Sequence, residues 1–110
     1  MKKLLAGLLM VPCMAHAEFE TGNKLYQNMT SESRMENMYA LGYVGGVFDA
    51  YQHMFHCPPA NSVTLGQVFD IVKNYLAANP STRHKTADHL VKEALKKVWP
   101  CIVQNNRNGT

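Results

Sequence analysis

The chain has 110 residues, with 11 lysines and arginines against 8 acidic residues and a formal charge of +3. That excess is partly a property of its first seventeen residues: without Lys2 and Lys3 the remainder carries nine basic and eight acidic side chains, a formal +1. A balance so close to neutral excludes a nucleic-acid binder built on a basic face, and the remaining 93 residues suffice for one domain with a modest core.

Met1-Lys2-Lys3 leads into a short apolar run through Val11, and Ala15-His16-Ala17 follows with small residues flanking one variable position. This is the layout of a secretory signal peptide, with cleavage after Ala17 and Glu18 as the new first residue. The apolar run is too short to serve as a membrane anchor once the leader is gone. Met10-Val11-Pro12 before Cys13 lacks the small residues that a lipidation site requires. Residues 18–110 therefore form the working domain, and the compartment is oxidising. Cys57 and Cys101 are the two cysteines left after cleavage, and in an exported chain such a pair reads as a disulfide. It would close a loop of about 45 residues, worth roughly 4 kcal/mol in the chain-entropy description.

Four helical stretches follow one another, and no segment alternates with the period of a half-buried strand, so the fold class is all-α, a small four-helix bundle. The first helix runs from about Thr21 to Met29 and carries Leu25, Tyr26 and Met29. The second, from about Ser33 to His56, has apolar residues on more than one face: Met35, Met38, Tyr39, Leu41, Val44, Phe48, Tyr51 and Phe55. That distribution predicts a central, buried helix. Gly42, Gly45 and Gly46 lie inside it, each costing about 1 kcal/mol relative to alanine, which predicts close approach of a neighbouring helix. Pro58 and Pro59 end the segment.

Thr64 and Gln67 form a capping box at the start of the third helix, whose Leu65, Val68, Ile71, Val72, Tyr75 and Leu76 recur every three or four residues. Asn79-Pro80 stops it, and a polar link leads to Thr86, the cap of a fourth helix with Leu90, Val91, Ala94, Leu95 and Val98 turned inward. Lys96 and Lys97 suit its negative end, and Pro100 closes it just before Cys101. The proposed bridge thus ties the end of the second helix to the end of the fourth. The tail from Gln104 to Thr110 is polar and frayed.

Few residues carry chemistry. His53, His56 and Cys57 lie close in sequence, but a disulfide would consume the thiolate and no second ligand pair completes a metal site, so no metal or cofactor is expected. Asp49 on an apolar helix needs a partner if buried, and a structural acceptor is the reading favoured over catalysis, because no second acid, serine–histidine pair or free thiol accompanies it. Asp70 and Asp88 fall in or near first helical turns, where the dipole favours them. Met29, Met35, Met38 and Met54 fill a core or serve an adaptable surface. Arg83, His84 and Lys85 make an exposed basic turn, read first as a solvated polar link and second as a contact for an acidic partner.

Several pieces occur in order across nearly the whole mature chain: Gly22-Asn23-Lys24-Leu25-Tyr26, Leu41-Gly42-Tyr43-Val44-Gly45-Gly46-Val47-Phe48-Asp49-Ala50, Cys57-Pro58-Pro59, Val63 to Leu76, and Asn79-Pro80 through Arg83-His84 to Trp99-Pro100-Cys101. With them the chain resembles the Rap/Tai family of type VI secretion immunity proteins. The resemblance implies a compact helical protein, often a homodimer, that blocks a secreted peptidoglycan amidase in the periplasm by filling its substrate cleft, with no catalytic residue of its own. Family members carry two further cysteines at places occupied here by Met29 and Ala40, which implies that one disulfide is lost. The contacting surface read from this sequence is the outer face of the third helix with Asn79, Arg83, His84 and Lys85 and the start of the fourth. Two other readings use the same residues: an acid-stress periplasmic chaperone, which the four histidines of the mature chain permit, and a small enzyme or metal carrier around His53, His56 and Asp49.

Overall fold

A computed structural model describes residues 19–55 and 63–100. Four helices make up this part: α1 (Gly22–Met29), α2 (Arg34–Phe55), α3 (Leu65–Ala78) and α4 (Ala87–Val98), with a 3-10 turn at Pro80–Thr82 between the last two. No strand occurs among the described residues; the only sheet-like feature there is an isolated antiparallel bridge between Thr21 and Thr86. The signal segment, His56, Cys57, Cys101 and the tail lie outside the described residues, so the disulfide, the histidine–cysteine cluster and the leader stay expectations.

Local chemistry sets the helix starts. Thr21 Oγ1 accepts from the Lys24 N–H at 3.2 Å, and Ser33 Oγ from Glu36 N–H at 3.3 Å. At α3 both halves of the capping box are present: Gln67 N–H donates to Thr64 Oγ1 at 3.1 Å, and Thr64 N–H to Gln67 Oε1 at 2.8 Å. The tight turn between α1 and α2 is stitched by Asn37, whose Nδ2 donates to the carbonyls of Asn28 and Ser31. Thr86 occupies the N-cap position of α4 without the expected side-chain cap. Its hydroxyl instead favours the ionised form of the nearby Asp88 carboxylate.

All six pairs of helices touch. The core between them contains Leu25 from α1, Val44 from α2, Val68, Val72 and Leu76 from α3, and Leu90, Val91 and Leu95 from α4, each under 2% exposed. Full burial of one such side chain is worth about 1.5–3 kcal/mol, so this set is what drives the four helices together. Met29 and Ala40 belong to the same core, 4% and 0% exposed.

Burial of α2 departs from the expectation. It touches every other helix, yet Met35, Met38 and Tyr39 are 74%, 65% and 53% exposed, and Asp49 is exposed as well. Among the described residues one face of α2 has no neighbour, and its core stripe is Ala40, Val44 and Tyr51 with Val47 and Phe48 beside it. The glycines divide accordingly. A β-carbon on Gly45 would sit 3.2 Å from Leu65 Cδ1, whereas Gly42 and Gly46 have nothing within 4 Å. Only Gly45 therefore has the close neighbour expected of all three. Val98 and Leu65 also stand further out than their periodicity predicts, at 46% and 41%.

Candidate partner-binding surface

The link from α3 to α4 is held by its own backbone and by α1. Asn79 ends α3, its Nδ2 donating to the Tyr75 carbonyl at 2.8 Å, and Pro80 opens the 3-10 turn, where a missing N–H costs nothing. Lys85 N–H returns to the Thr82 carbonyl at 3.0 Å. The N-terminus of α1 then docks on the following turn. Gly22 N–H donates to the Lys85 carbonyl at 2.9 Å and Asn23 N–H to the Arg83 carbonyl at 2.7 Å, while Ala87 N–H donates to the Glu20 carbonyl at 2.7 Å. Two helix N-termini thereby satisfy free backbone donors on each other's leading segments.

This clasp sorts the residues read from the sequence as a partner-facing patch. Arg83 is half-buried, its guanidinium carbon 4.3 Å from the centre of the Tyr26 ring, and its Nε is buried without a hydrogen-bond partner. Asn79 is also half-buried and serves the helix end. His84 and Lys85 project into solvent. The exposed basic turn is thus two residues wide, mounted on a backbone that three interhelical hydrogen bonds fix.

Behind the clasp sits a group of ionisable side chains. Tyr39 Oη donates to Glu20 Oε1 at 3.3 Å, and the negative charge of Glu20, with a smaller effect of burial, raises the Tyr39 phenol above its ordinary 10.0. Burial, reinforced by the charges of Asp88 and Glu20, pushes Tyr43 up to about 12. Burial also works against ionised Asp88, but the Thr86 hydroxyl and the Lys92 ammonium 3.5 Å away outweigh it, and the carboxyl titrates below its usual 3.8. The group knits α2 to the start of α4. Neither His53, His84 nor His89 joins it; all three are exposed.

Asp49 is exposed, away from any role as a buried acceptor, and among the described residues no three His, Cys, Asp or Glu side chains converge on a common point. Nor is any described helix long and apolar enough to cross a membrane. Sequence reasoning missed Gly22 as a packing residue. A β-carbon there would collide with Leu90 Cδ1 and lie 2.7 Å from the Arg83 carbonyl oxygen. The available signal was a glycine directly after a capping threonine, a position that needs no unusual backbone angle and so points to crowding. Residues 21–101 match the family model of the Rap1a immunity proteins. No curated protein and no solved structure matches the chain.

Proposed function

Since the chain belongs to the Rap1a immunity protein family, we propose that it protects its cell by binding a type VI effector that cuts peptidoglycan amide bonds, and by occluding that enzyme's substrate cleft in the periplasm. The family match across residues 21–101 carries the reading and favours it over the acid-stress chaperone and the small enzyme. Occlusion needs a rigid surface and a few anchors rather than reacting groups. Export follows from the leader ending at Ala17, and the Cys57–Cys101 disulfide belongs to the same proposal, as does a homodimer. The contact is the outer face of α3 with the exposed pair His84 and Lys85 on their clasped turn. Asn79 and Arg83 hold that turn in place.

A strain lacking the gene should lyse in contact with siblings that deliver the effector, and expression of the full precursor should restore survival. The same chain without residues 2–17 should fail to protect, because it stays on the wrong side of the inner membrane. Deletion without any loss of survival against amidase-delivering siblings would refute the reading.

A further inference from the structure

A second surface lies at the other end of α1 from the clasp. Between Met29 at the end of α1, the first two turns of α2 and the middle of α3 opens a cleft of about 290 Å³. Met29, Leu41 and Phe69 supply apolar lining, Met38 stands at it 65% exposed, and Arg34 and Lys73 are the charged residues that line it among the described residues. Neither cation has a carboxylate within ion-pairing distance among the described residues; the Lys73 ammonium rests 5.9 Å from the Phe69 ring centre. The amide nitrogen of Asn37, which also lines the cleft, is already committed to two backbone carbonyls. The remaining unanswered charge is therefore positive, above an apolar floor.

We infer that this cleft receives a protein segment of the effector in which a carboxylate stands next to an apolar side chain, an inference that rests on the immunity reading. Charge selects the carboxylate, since Arg34 and Lys73 both line the cleft and neither is ion-paired among the described residues, so the cleft favours an anion over a cation. Size selects a side chain or two: the cleft lies at the lower edge of the roughly 300–1,000 Å³ typical of small-molecule pockets. The exposed methionines select a polypeptide, because Met35 and Met38 extend the apolar surface beyond the cleft onto the face of α2, and flexible thioethers mould to a partner chain. The clasped turn and the cleft would then hold the effector at two separated points, one by exposed polar side chains and one by an anchored side chain.

The test uses the full mature chain and the purified amidase that kills the deletion strain, with affinity measured by calorimetry. Arg34→Glu with Lys73→Glu should weaken binding by about tenfold or more, and Met38→Ala by several-fold, with helical circular dichroism and melting temperature unchanged. Should the double reversal unfold the protein, Arg34→Gln with Lys73→Gln replaces it, with a smaller loss in the same direction. Lys96→Glu with Lys97→Glu, outside the cleft, should change affinity less than about twofold. Equal weakening by both reversals, or wild-type affinity in the cleft variants, overturns the inference and leaves the immunity reading standing. A cleft variant that alters self-association while keeping effector affinity assigns the cleft to a second copy of the chain and also overturns it. Absence of binding by the wild-type protein overturns both.

Discussion

Gly22 sits where α1, Leu90 and the carbonyl of Arg83 converge, and the space for a methyl group is missing on both sides. Leu90 can shift; the Arg83 carbonyl cannot without lengthening the bond that Asn23 donates to it. Gly22→Ala should therefore destabilise the fold by about 1–3 kcal/mol in a denaturant titration. Gly42→Ala and Gly46→Ala should do the reverse, each adding up to about 1 kcal/mol to the monomer, since their β-carbons would meet open space in a helix interior. Ranking these three variants by midpoint checks the packing, and a Gly22→Ala protein as stable as the wild type would remove the clasp's tight contact. Tyr43 makes a second claim at this scale. Its folded phenol titrates near 12 against 10.0 in the unfolded chain, so folding favours the neutral form. The resulting stability is fully present below pH 10 and is lost as pH rises from there through about 12. Tyr43→Phe should flatten the loss of stability across that window; an unchanged alkaline profile would show that other groups govern it.

Among the elements, the helix ends were the most legible part of the sequence because their signals are local. Thr64 and Gln67 announce α3 three residues apart, and both bonds of the box are in place. Thr64→Ala should cost about 1 kcal/mol, read as a lower denaturation midpoint with an unchanged slope. Proline after Asn79 marks the end of α3 equally well. Orientation was less legible where it depends on neighbours. Periodicity on α3 and α4 correctly turns Val68, Val72, Leu76, Leu90, Val91 and Leu95 inward, but it cannot tell that the outer side of α2 meets no other element among the described residues, and so Met35, Met38 and Asp49 were misplaced. The clasp was invisible for a different reason. It consists of backbone hydrogen bonds between residues 20–23 and 83–87, which leave no pattern in side-chain type. Arg83 therefore read as an exposed charge, although it stacks on Tyr26 and shares a half-buried corner.

The described part of the protein is a small helical core that carries the two surfaces proposed to meet a partner. The four described helices bury a compact set of leucines and valines, with Met29 and Ala40 inside the same core. The covalent support proposed for Cys57 and Cys101 then has consequences for the entire fold. In protein recovered from a periplasmic extract both thiols should resist alkylation until a reductant is added, and reduction should lower stability by roughly 4 kcal/mol, with chain entropy as the source. Free, alkylatable thiols in the native protein from that extract would contradict the bridge. A core of this size benefits from such a constraint, and a rigid scaffold is what an occluding inhibitor requires, since ordering a loose surface on binding reduces affinity.

The proposed protection rests on inhibition of a wall-cutting amidase by stoichiometric binding. The most direct measurement follows release of new amino groups from purified peptidoglycan by the effector, with the mature protein titrated in at concentrations above the dissociation constant. Activity should fall linearly and reach zero near one equivalent of binding sites, with the inhibitor recovered intact. Undiminished hydrolysis in the presence of excess, correctly folded protein would contradict the account.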